Sequence, residues 1–567
     1  MKGKDKFSVR TLMIVIVIWA QYVFNIQEVF AQADWSAHWI WTSAQGPNNT
    51  WLALRKKVTL SGQPTSAITK IAAENNYWLY VNGQLVVRGG GLDARPDLSN
   101  TYYDEIDLSP YFQDGDNIIA ALVWHKGGEE GYSHLMTDHG GFLFQCDLVG
   151  SSPSRIISDN SWKVTEHPAF QRGTFNYLYD VTGTITFDNA TFGDPIYGIV
   201  KQGYYRLEGT SEWILCASEN ESFTLPGLSD VRYGSENNQM KQWTDYKWVA
   251  WPVIYDARSE VSDWYTLGFN DNLWSSAVSK GVPPVAPWNN LVHRTIPLWK
   301  DFGLSAYLNQ ADLPSTVNAD GTITGNLGIN IQGNPYLKID APAEVKIRFV
   351  LNDFYYQEYI TKGGVQEFEC YAWQNSSKHT VRYEFTNVTS PVSILDLKFR
   401  QTGYDADIVG DFSSSDPQLN LLWTKCKNTS YVCMRDIFYD CPDRERGQWW
   451  GDVSEQILYS FYLYDERGHL LARKGFRELL NTQKADGSLY TTAPGTRFNL
   501  PDQNMAAVAI LWEYYLYTGD QALLEELYPQ TRKFIEYLES TANNDGMLIL
   551  QPEQGGGLME LDRLGRQ

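Results

Sequence analysis

The segment Asp440–Asp452, DCPDRERGQWWGD, brings carboxylates, guanidinium groups and indoles together within thirteen residues. Hydrolysis of a glycosidic bond needs two carboxyl groups, and one of them must keep its proton near neutral pH. Burial by Trp449 and Trp450 and repulsion among the acids would raise a carboxyl pKa, whereas Arg444 and Arg446 act in the opposite direction. Carboxylates also bind sugar hydroxyls, and indoles offer a flat apolar face. The segment therefore favours a site that processes carbohydrate.

Other kinds of chemistry fit this segment less well. The chain has only eight His, none of them in the segment, which gives little support for a Ser-His-Asp arrangement. The carboxylate spacing is not that of a calcium-binding loop, so we predict no cofactor and assign no metal, and calcium stays open without a defined site. On residue types alone, an ion-paired connector between two helices remains an equal alternative.

The overall composition limits the function further. A chain of 567 residues is too long for one core, so three or four domains are expected. The net charge of -21 disfavours nucleic acid and anionic membranes as partners. Aromatic residues make up 14% of the chain, which suits contact with sugars as well as core packing.

Residues 1–33 have the pattern of a signal peptide. A basic start precedes the apolar run Leu12–Ala20, and Ala31-Gln32-Ala33 fits a cleavage site. The run is short for a bilayer span of ~20 residues, although an uncleaved anchor remains the alternative. We expect an exported protein, periplasmic or secreted, with no stable membrane span after cleavage.

Residues 34–410 predict β-structure in three modules. Short alternating runs separated by Gly, Asn, Asp and Pro indicate β-sandwiches of the jelly-roll type at 34–190, 191–300 and 301–410. Within the first, Tyr77–Val87 contains Asn82-Gly83, a strong signal for a two-residue hairpin.

Residues 411–567 predict an all-α domain. Asp416-Pro417 is a helix start, and Gly519-Asp520 ends one helix and starts the next. About five helices are expected over 416–541, an α/α array. The first would carry an apolar stripe, formed by Leu419, Leu422, Trp423, Cys426 and Cys433. The six cysteines are scattered, and free thiols are predicted.

The segment resembles the signature of bacterial α-L-rhamnosidases, glycoside hydrolase family 78, often written DCPxRExxGWxGD. Eight positions fit that pattern, namely Asp440, Cys441, Pro442, Arg444, Glu445, Trp449, Gly451 and Asp452. Gln448 stands where the pattern has Gly, so the local backbone is expected to differ. The β-region resembles the family's N-terminal modules more weakly, through YWLYVNGQLV and SDWYTLGFNDNLW.

The resemblance implies an (α/α)6 barrel and an inverting hydrolase that releases terminal α-L-rhamnose from a glycan or glycoside. Glu445 matches the general acid. Asp440 and Asp452 match carboxylates that bind the sugar, and Arg444 lies among them. Trp449 or Trp450 would pack against the ring or its methyl group.

The helical region is short for a complete barrel. About 150 residues follow Asp416, whereas twelve helices of roughly 10–14 residues need more. We therefore expect an incomplete barrel and poor catalysis, with neither Glu553 nor Glu560 matched to the general base. Two alternatives stay open, a noncatalytic carbohydrate-binding protein and a helical-barrel glycosidase for another sugar. The natural substrate and oligomeric state are not set by the sequence.

Overall fold

The computed structural model describes residues 34–43, 46, 48–97, 99–127, 135, 137–171, 174–193, 195, 200–207, 210, 213–235, 240–242, 248–250, 253–352, 355–443, 446–496 and 498–548. The described residues from Ala37 onward form one compact unit. Strands occupy its first part and helices its last part, as the sequence predicts.

Most of the strands are short, and the two longest form a hairpin. In chain order the first ten are β1 (Trp39–Trp41), β2 (Thr50–Leu60), β3 (Ser66–Glu74), β4 (Asn76–Val81), β5 (Gln84–Gly90), β6 (Thr101–Asp107), β7 (Gly115–His125), β8 (Gly141–Val149), β9 (Arg155–Ile157) and β10 (Lys163–Glu166). The next ten are β11 (Phe170–Gln171), β12 (Thr174–Val181), β13 (Thr184–Phe187), β14 (Gln202–Leu207), β15 (Ile214–Ser218), β16 (Glu221–Thr224), β17 (Ser229–Ser235), β18 (Met240–Gln242), β19 (Trp248–Ala250) and β20 (Val253–Asp256). The remainder are β21 (Ser275–Ser276), β22 (Val278–Gly281), β23 (Leu291–His293), β24 (Lys300–Ser305), β25 (Thr316–Val317), β26 (Gly321–Asn326), β27 (Gln332–Asn352), β28 (Tyr355–Glu369), β29 (Gln374–Asn375), β30 (Thr380–Thr386) and β31 (Val392–Gly403).

Two sheets form the first sandwich. One has the order β22-β1-β8-β3-β6-β23, with β9 beside β8, and the other β21-β10-β2-β7-β4-β5. Residues such as Trp41, Leu54 and Phe144 fill the core of this sandwich. Between β4 and β5, Asn82 and Gly83 have φ values of 51° and 85°, the positive values that a type I′ hairpin requires. The predicted hairpin is confirmed.

A small module and a large sheet follow the first sandwich. The small module pairs β12, β17, β14 and β15 in one sheet and β13 with β16 in another. The large sheet runs β11-β20-β28-β27-β30-β26 and also includes β24, β25, β29 and β31, with β27 and β28 forming its long hairpin.

The sheets divide the chain differently from the boundaries expected at 190 and 300. Strands β21 to β23, from the predicted second module, complete the first sandwich, while β20 joins the large sheet beside β28. Backbone hydrogen bonds between strands far apart in sequence decide this, and a local pattern does not encode them.

The described helices after residue 410 are α1 (Pro417–Val432), α2 (Trp450–Leu463), α3 (Glu466–Asn481), α4 (Pro501–Thr518) and α5 (Gln521–Ser540). Asp416 caps α1 by accepting a hydrogen bond from the Gln418 amide, and Pro417 occupies its first turn. Gly519 ends α4 in the left-handed conformation, and Asp520 caps α5. These predicted starts and stops are confirmed, because caps depend on local sequence.

The helices form hairpins around a shared core. Short connections join α2 to α3 and α4 to α5, while α2 packs beside α4 and α3 beside α5. Residues such as Val453, Ile457, Leu471 and Phe534 fill this core. No helix in the described ranges combines the length and the hydropathy needed to cross a bilayer.

The apolar stripe expected on α1 lies on a helix as predicted, but it is buried only in part, through Trp423 and Cys433. Leu419 and Leu422 are 45% and 58% exposed, and Cys426 is also exposed. The buried residues of α1 are Tyr431 and Val432 in its last turn, and Tyr431 packs in a core formed by the β-region and the other helices. Among the described residues, the last turn of α1 is therefore the part of this helix that is buried.

Candidate active-site loop

The loop between α1 and α2 carries the signature segment and is closed on itself. The Asp440 amide donates to the Gly447 carbonyl at 2.9 Å, and the Gly447 amide donates to Asp440 Oδ1 at 2.7 Å. Arg446 has a φ of 48°, which is uncommon for a residue other than glycine, and its Nε donates to the Pro442 carbonyl at 2.7 Å. These bonds join Asp440 to Gly447 and close the part of the loop between them.

Two of the predicted site residues, Arg444 and Glu445, lie outside the described residues. Their neighbours are placed. Asp443 accepts a hydrogen bond at 2.8 Å from Asn375 Nδ2, which belongs to β29 of the large sheet. The large sheet therefore contacts the loop two residues before the predicted general acid.

The two adjacent tryptophans have different surroundings. Trp449 precedes α2, is half-buried and stacks on the exposed Phe498 with a centroid distance of 5.3 Å. Trp450 is fully buried and stacks on Phe476 of α3 at 5.4 Å. Because α2 begins at Trp450, consecutive side chains point in different directions. Trp450 is thus placed in the helical core and Trp449 at the surface of the loop.

The other predicted sugar-binding carboxylates lie at opposite ends of the segment. Asp440 is half-buried, and Asp452 is exposed in the first turn of α2. A carboxylate in a first turn interacts favourably with the positive end of the helix dipole. Asp440, which is held by its hydrogen bonds, lies at the start of the segment, and Asp452, which belongs to α2, lies at its end.

A buried ion pair on α3 makes hydrogen bonds to the loop. Lys474 Nζ lies 2.5 Å from Glu478 Oε1, and both side chains are about fully buried. Lys474 also donates to the Asp436 carbonyl at 2.7 Å, whereas Glu478 accepts from Gln448 Nε2 at 3.1 Å and from the Tyr102 hydroxyl at 3.3 Å. The pair therefore holds the loop at Asp436, before the signature segment, and at Gln448, within it.

Burial sets the electrostatics of this pair. It raises the pKa of Glu478, and the Lys474 ammonium and the Gln448 amide oppose that rise by stabilising the carboxylate. Neither residue was among those predicted from the sequence. The sequence does contain a pattern that could have indicated them. Two opposite charges lie four residues apart among Leu471, Phe476 and Leu479, which are buried residues of an amphipathic helix.

Gln448 replaces the glycine of the signature and is fully buried. Its Nε2 donates to Glu478 and also to the Ala493 carbonyl at 2.9 Å. The side chain thus joins the loop to α3 and to the α3–α4 connection, contacts that a glycine could not make.

Aromatic and charged groups fill the space between the loop and the β-region. The Tyr439 hydroxyl donates to Asp436 Oδ1 at 2.5 Å, and burial followed by the Asp436 charge raises the pKa of Tyr439. Arg435 Nη1 donates to Gln332 Oε1 at 2.8 Å, and burial lowers the pKa of Arg435 to about 10. Across the described ranges, no group of three or more His, Cys, Asp or Glu side chains is arranged to hold a metal ion.

The fold and the loop define a class: a sheet-rich N-terminal region packed on helical hairpins that carry a carboxylate- and tryptophan-rich loop. Residues 407–556 match the model of the bacterial alpha-L-rhamnosidase 6 hairpin glycosidase domain. Over 93% of its length, the chain is 22% identical to an alpha-L-rhamnosidase of Alteromonas sp. (strain LOR), and over 87% it is 25% identical to one from Formosa agariphila. It covers 52% and 48% of those proteins, so the chain spans about half the length of these curated relatives.

Solved structures agree on the fold. The chain matches the GH78 family rhamnosidase of Bacillus sp. GL1 with a TM-score of 0.68 at 14% identity, covering 91% of this chain and 71% of that one. For the alpha-L-rhamnosidase of Dictyoglomus thermophilum the TM-score is 0.63 at 19% identity, covering 90% and 52%. These matches confirm the resemblance to bacterial α-L-rhamnosidases of glycoside hydrolase family 78 that the signature indicates.

Proposed function

We propose that this chain supplies the acid-bearing part of an inverting glycoside hydrolase that releases terminal α-L-rhamnose. The observation that carries the proposal is the signature loop, closed through Asp440 and Gly447 and supported by α3 within the matched region. A fixed loop on a rigid helical scaffold is the kind of structure that orients catalytic groups.

In this proposal Glu445 donates a proton to the departing glycosidic oxygen. Inversion requires a second carboxylate that activates water on the opposite face of the sugar, roughly 6.5–9.5 Å from the acid. We assign that base to no residue of this chain, and poor turnover by the chain alone remains our prediction. An incomplete (α/α)6 barrel and jelly-roll sandwiches likewise remain part of the proposal.

The remaining signature residues bind the sugar. Asp440 and Asp452 accept hydrogen bonds from its hydroxyls, and Arg444 lies between them in sequence. The half-buried Trp449, stacked on Phe498, offers an indole for the ring or its methyl group. The burial of Trp450 supports a packing role for that residue instead.

Binding and hydrolysis should be measured separately. L-Rhamnose titrated into the chain by calorimetry should bind to the wild type and to Glu445→Gln, and bind more weakly to Asp440→Asn. Glu445→Gln should lose any hydrolysis of an aryl α-L-rhamnoside that the wild type shows. Asp545→Asn, at an exposed aspartate beyond α5, is the matched control and should change neither result.

The outcomes separate the alternatives. Rhamnose binding that Asp440→Asn and Trp449→Ala leave unchanged would place the sugar elsewhere and support a noncatalytic binding protein. Glu445-dependent hydrolysis of a different aryl glycoside would support a glycosidase for another sugar. Absence of any rhamnose binding would refute the proposal.

We also propose that residues 1–33 direct export of the protein, to the periplasm or the medium, and are removed in the process. Mass spectrometry of the mature protein tests this, and a mature N-terminus at Asp34 is expected.

A further inference from the structure

A column of alternating guanidinium groups and indoles connects the β-region to the signature loop. We call it the Arg–Trp column; it consists of Arg294, Trp299, Arg435, Trp373 and Arg446. Trp299 lies 4.4 Å from the Arg294 guanidinium carbon and 4.6 Å from that of Arg435, measured to its ring centroid. Trp373 lies 4.3 Å from Arg435 and 4.2 Å from Arg446 in the same way. All four contacts are within the range of a cation–π interaction.

The column crosses from one structural region to another. Arg294 follows β23 of the first sandwich, Trp299 precedes β24, and Trp373 lies between β28 and β29 of the large sheet. Arg435 follows α1, and Arg446 belongs to the signature segment. The column therefore contacts the signature loop from the side of the large sheet.

The three arginines are nearly inaccessible to water, with 4–8% of each residue exposed. Arg294 has a carboxylate partner, Asp104, at 3.2 Å. Arg435 instead bonds neutral oxygens, and among the described residues its Nε has no hydrogen-bond partner. A buried cation is costly unless it is compensated, and here the indole faces provide much of the compensation.

Trp373 contacts the loop at both ends of its closed part. Arg446, in its left-handed conformation, packs on the indole, and Tyr439, directly before Asp440, stacks on it at 6.3 Å with an interplanar angle of 17°. Two residues further along the sheet, Asn375 bonds Asp443. The segment 373–375 thus contacts the loop on both sides of the positions that hold Arg444 and Glu445.

We propose that Trp373 is a positioning residue, which sets the geometry of the signature loop through its contact with the Arg446 guanidinium. The large sheet thereby takes part in sugar recognition without touching the sugar. This inference rests on the proposed function for its effect on rhamnose, but its effect on the loop itself does not depend on that function.

The test compares Trp373→Leu, which keeps an apolar side chain but removes the aromatic face, with Trp373→Phe, which keeps an aromatic face. The first readout is hydrogen–deuterium exchange of peptides spanning 440–449, where the Gly447 amide reports closure of the loop. We expect exchange to be at least about fivefold faster in Trp373→Leu, as suits the loss of a desolvated cation–π contact, and close to wild type in Trp373→Phe.

The second readout is the dissociation constant of L-rhamnose. It should rise in Trp373→Leu and in Arg446→Gln, and the double variant should bind no more weakly than the weaker single variant, because both changes remove one contact. Trp213→Leu is the matched control, since Trp213 lies 4.8 Å from both Arg206 and Arg232 in the small module, away from the loop. It should leave both readouts unchanged.

Several results would overturn the inference. Loop exchange in a folded Trp373→Leu equal to wild type would do so, as would equal effects of the Leu and Phe variants. If Trp373→Leu does not fold, Arg446→Gln decides by the same exchange measurement, and wild-type exchange in that variant counts against the inference. Failure of the wild type to bind rhamnose refutes the proposed function alone, because the exchange readout needs no sugar.

Discussion

The buried pair of Lys474 and Glu478 gives the sharpest prediction about stability. Lys474→Met keeps an unbranched apolar side chain but leaves the Glu478 carboxylate with neutral donors, Gln448 and Tyr102. Side-chain exposure is 1% for Lys474 and 0% for Glu478, so water cannot replace the lost ammonium. Removing one partner of such a pair typically costs about 3–5 kcal/mol. We expect the free energy of unfolding at pH 8 to fall by roughly that amount.

The loss should depend on pH in a defined direction. Burial raises the pKa of Glu478 in the folded state above its ordinary value. Ionisation of Glu478 therefore lowers the free energy of unfolding increasingly as pH rises from the ordinary pKa through the raised one. Without Lys474 the pKa rises further, and at low pH the carboxyl group is protonated and needs no cation. The deficit of Lys474→Met should therefore be larger at pH 8 than at pH 5.

Urea unfolding followed by circular dichroism at 222 nm measures the effect on the helices. The double variant Lys474→Met/Glu478→Gln should recover much of the lost stability, because it leaves no unpaired buried charge. Arg532→Met is the matched control, since Arg532 and Glu536 form a pair of the same spacing on an exposed helix face, and it should produce no detectable change. Wild-type stability of Lys474→Met at pH 8, or a deficit that does not vary with pH, would refute the reasoning.

Two further predictions concern packing and acid sensitivity. Trp450→Ala should lower the free energy of unfolding by about 3–5 kcal/mol, as truncation of a fully buried ring does, and Trp450→Phe by less; weaker rhamnose binding with unchanged stability would argue against a packing role. Burial lowers the pKa of His125 to about 4, so the folded state keeps it neutral while the unfolded chain binds a proton below about 6.5. Stability should therefore be lost as pH falls from about 6.5 to about 4, and urea unfolding at several pH values should show a smaller loss in His125→Phe.

Features with local causes could be predicted from the sequence. The hairpin turn at Asn82-Gly83 requires only two residues with positive φ, and the helix start at Asp416-Pro417 requires only a capping side chain and a fixed φ. Each could therefore be recognised without knowledge of distant contacts. The order of sheet region and helical region followed from hydrophobic periodicity in the same way.

Features that depend on distant partners could not be predicted. Strand β22 pairs with β1, and β20 pairs with β28, across long separations in sequence, so module boundaries drawn from local composition missed them. The apolar stripe of α1 had the right spacing, but spacing does not say whether a neighbour covers it.

The candidate site was only partly predictable for the same reason. The signature segment was visible from residue types alone. The separate surroundings of Trp449 and Trp450 depend on α2 starting between them, and the support from Trp373 and Lys474 comes from other elements of the fold.

The first sandwich and the large sheet share one hydrophobic core. Trp51, Trp78 and Trp124, from strands of the first sandwich, pack with Phe170 and Tyr255 of the large sheet. Removing either part would expose these aromatic rings to water. A gene fragment that begins at the large sheet is thus a poor starting point for expression, and recombination that exchanges one of the two would have to exchange the other with it.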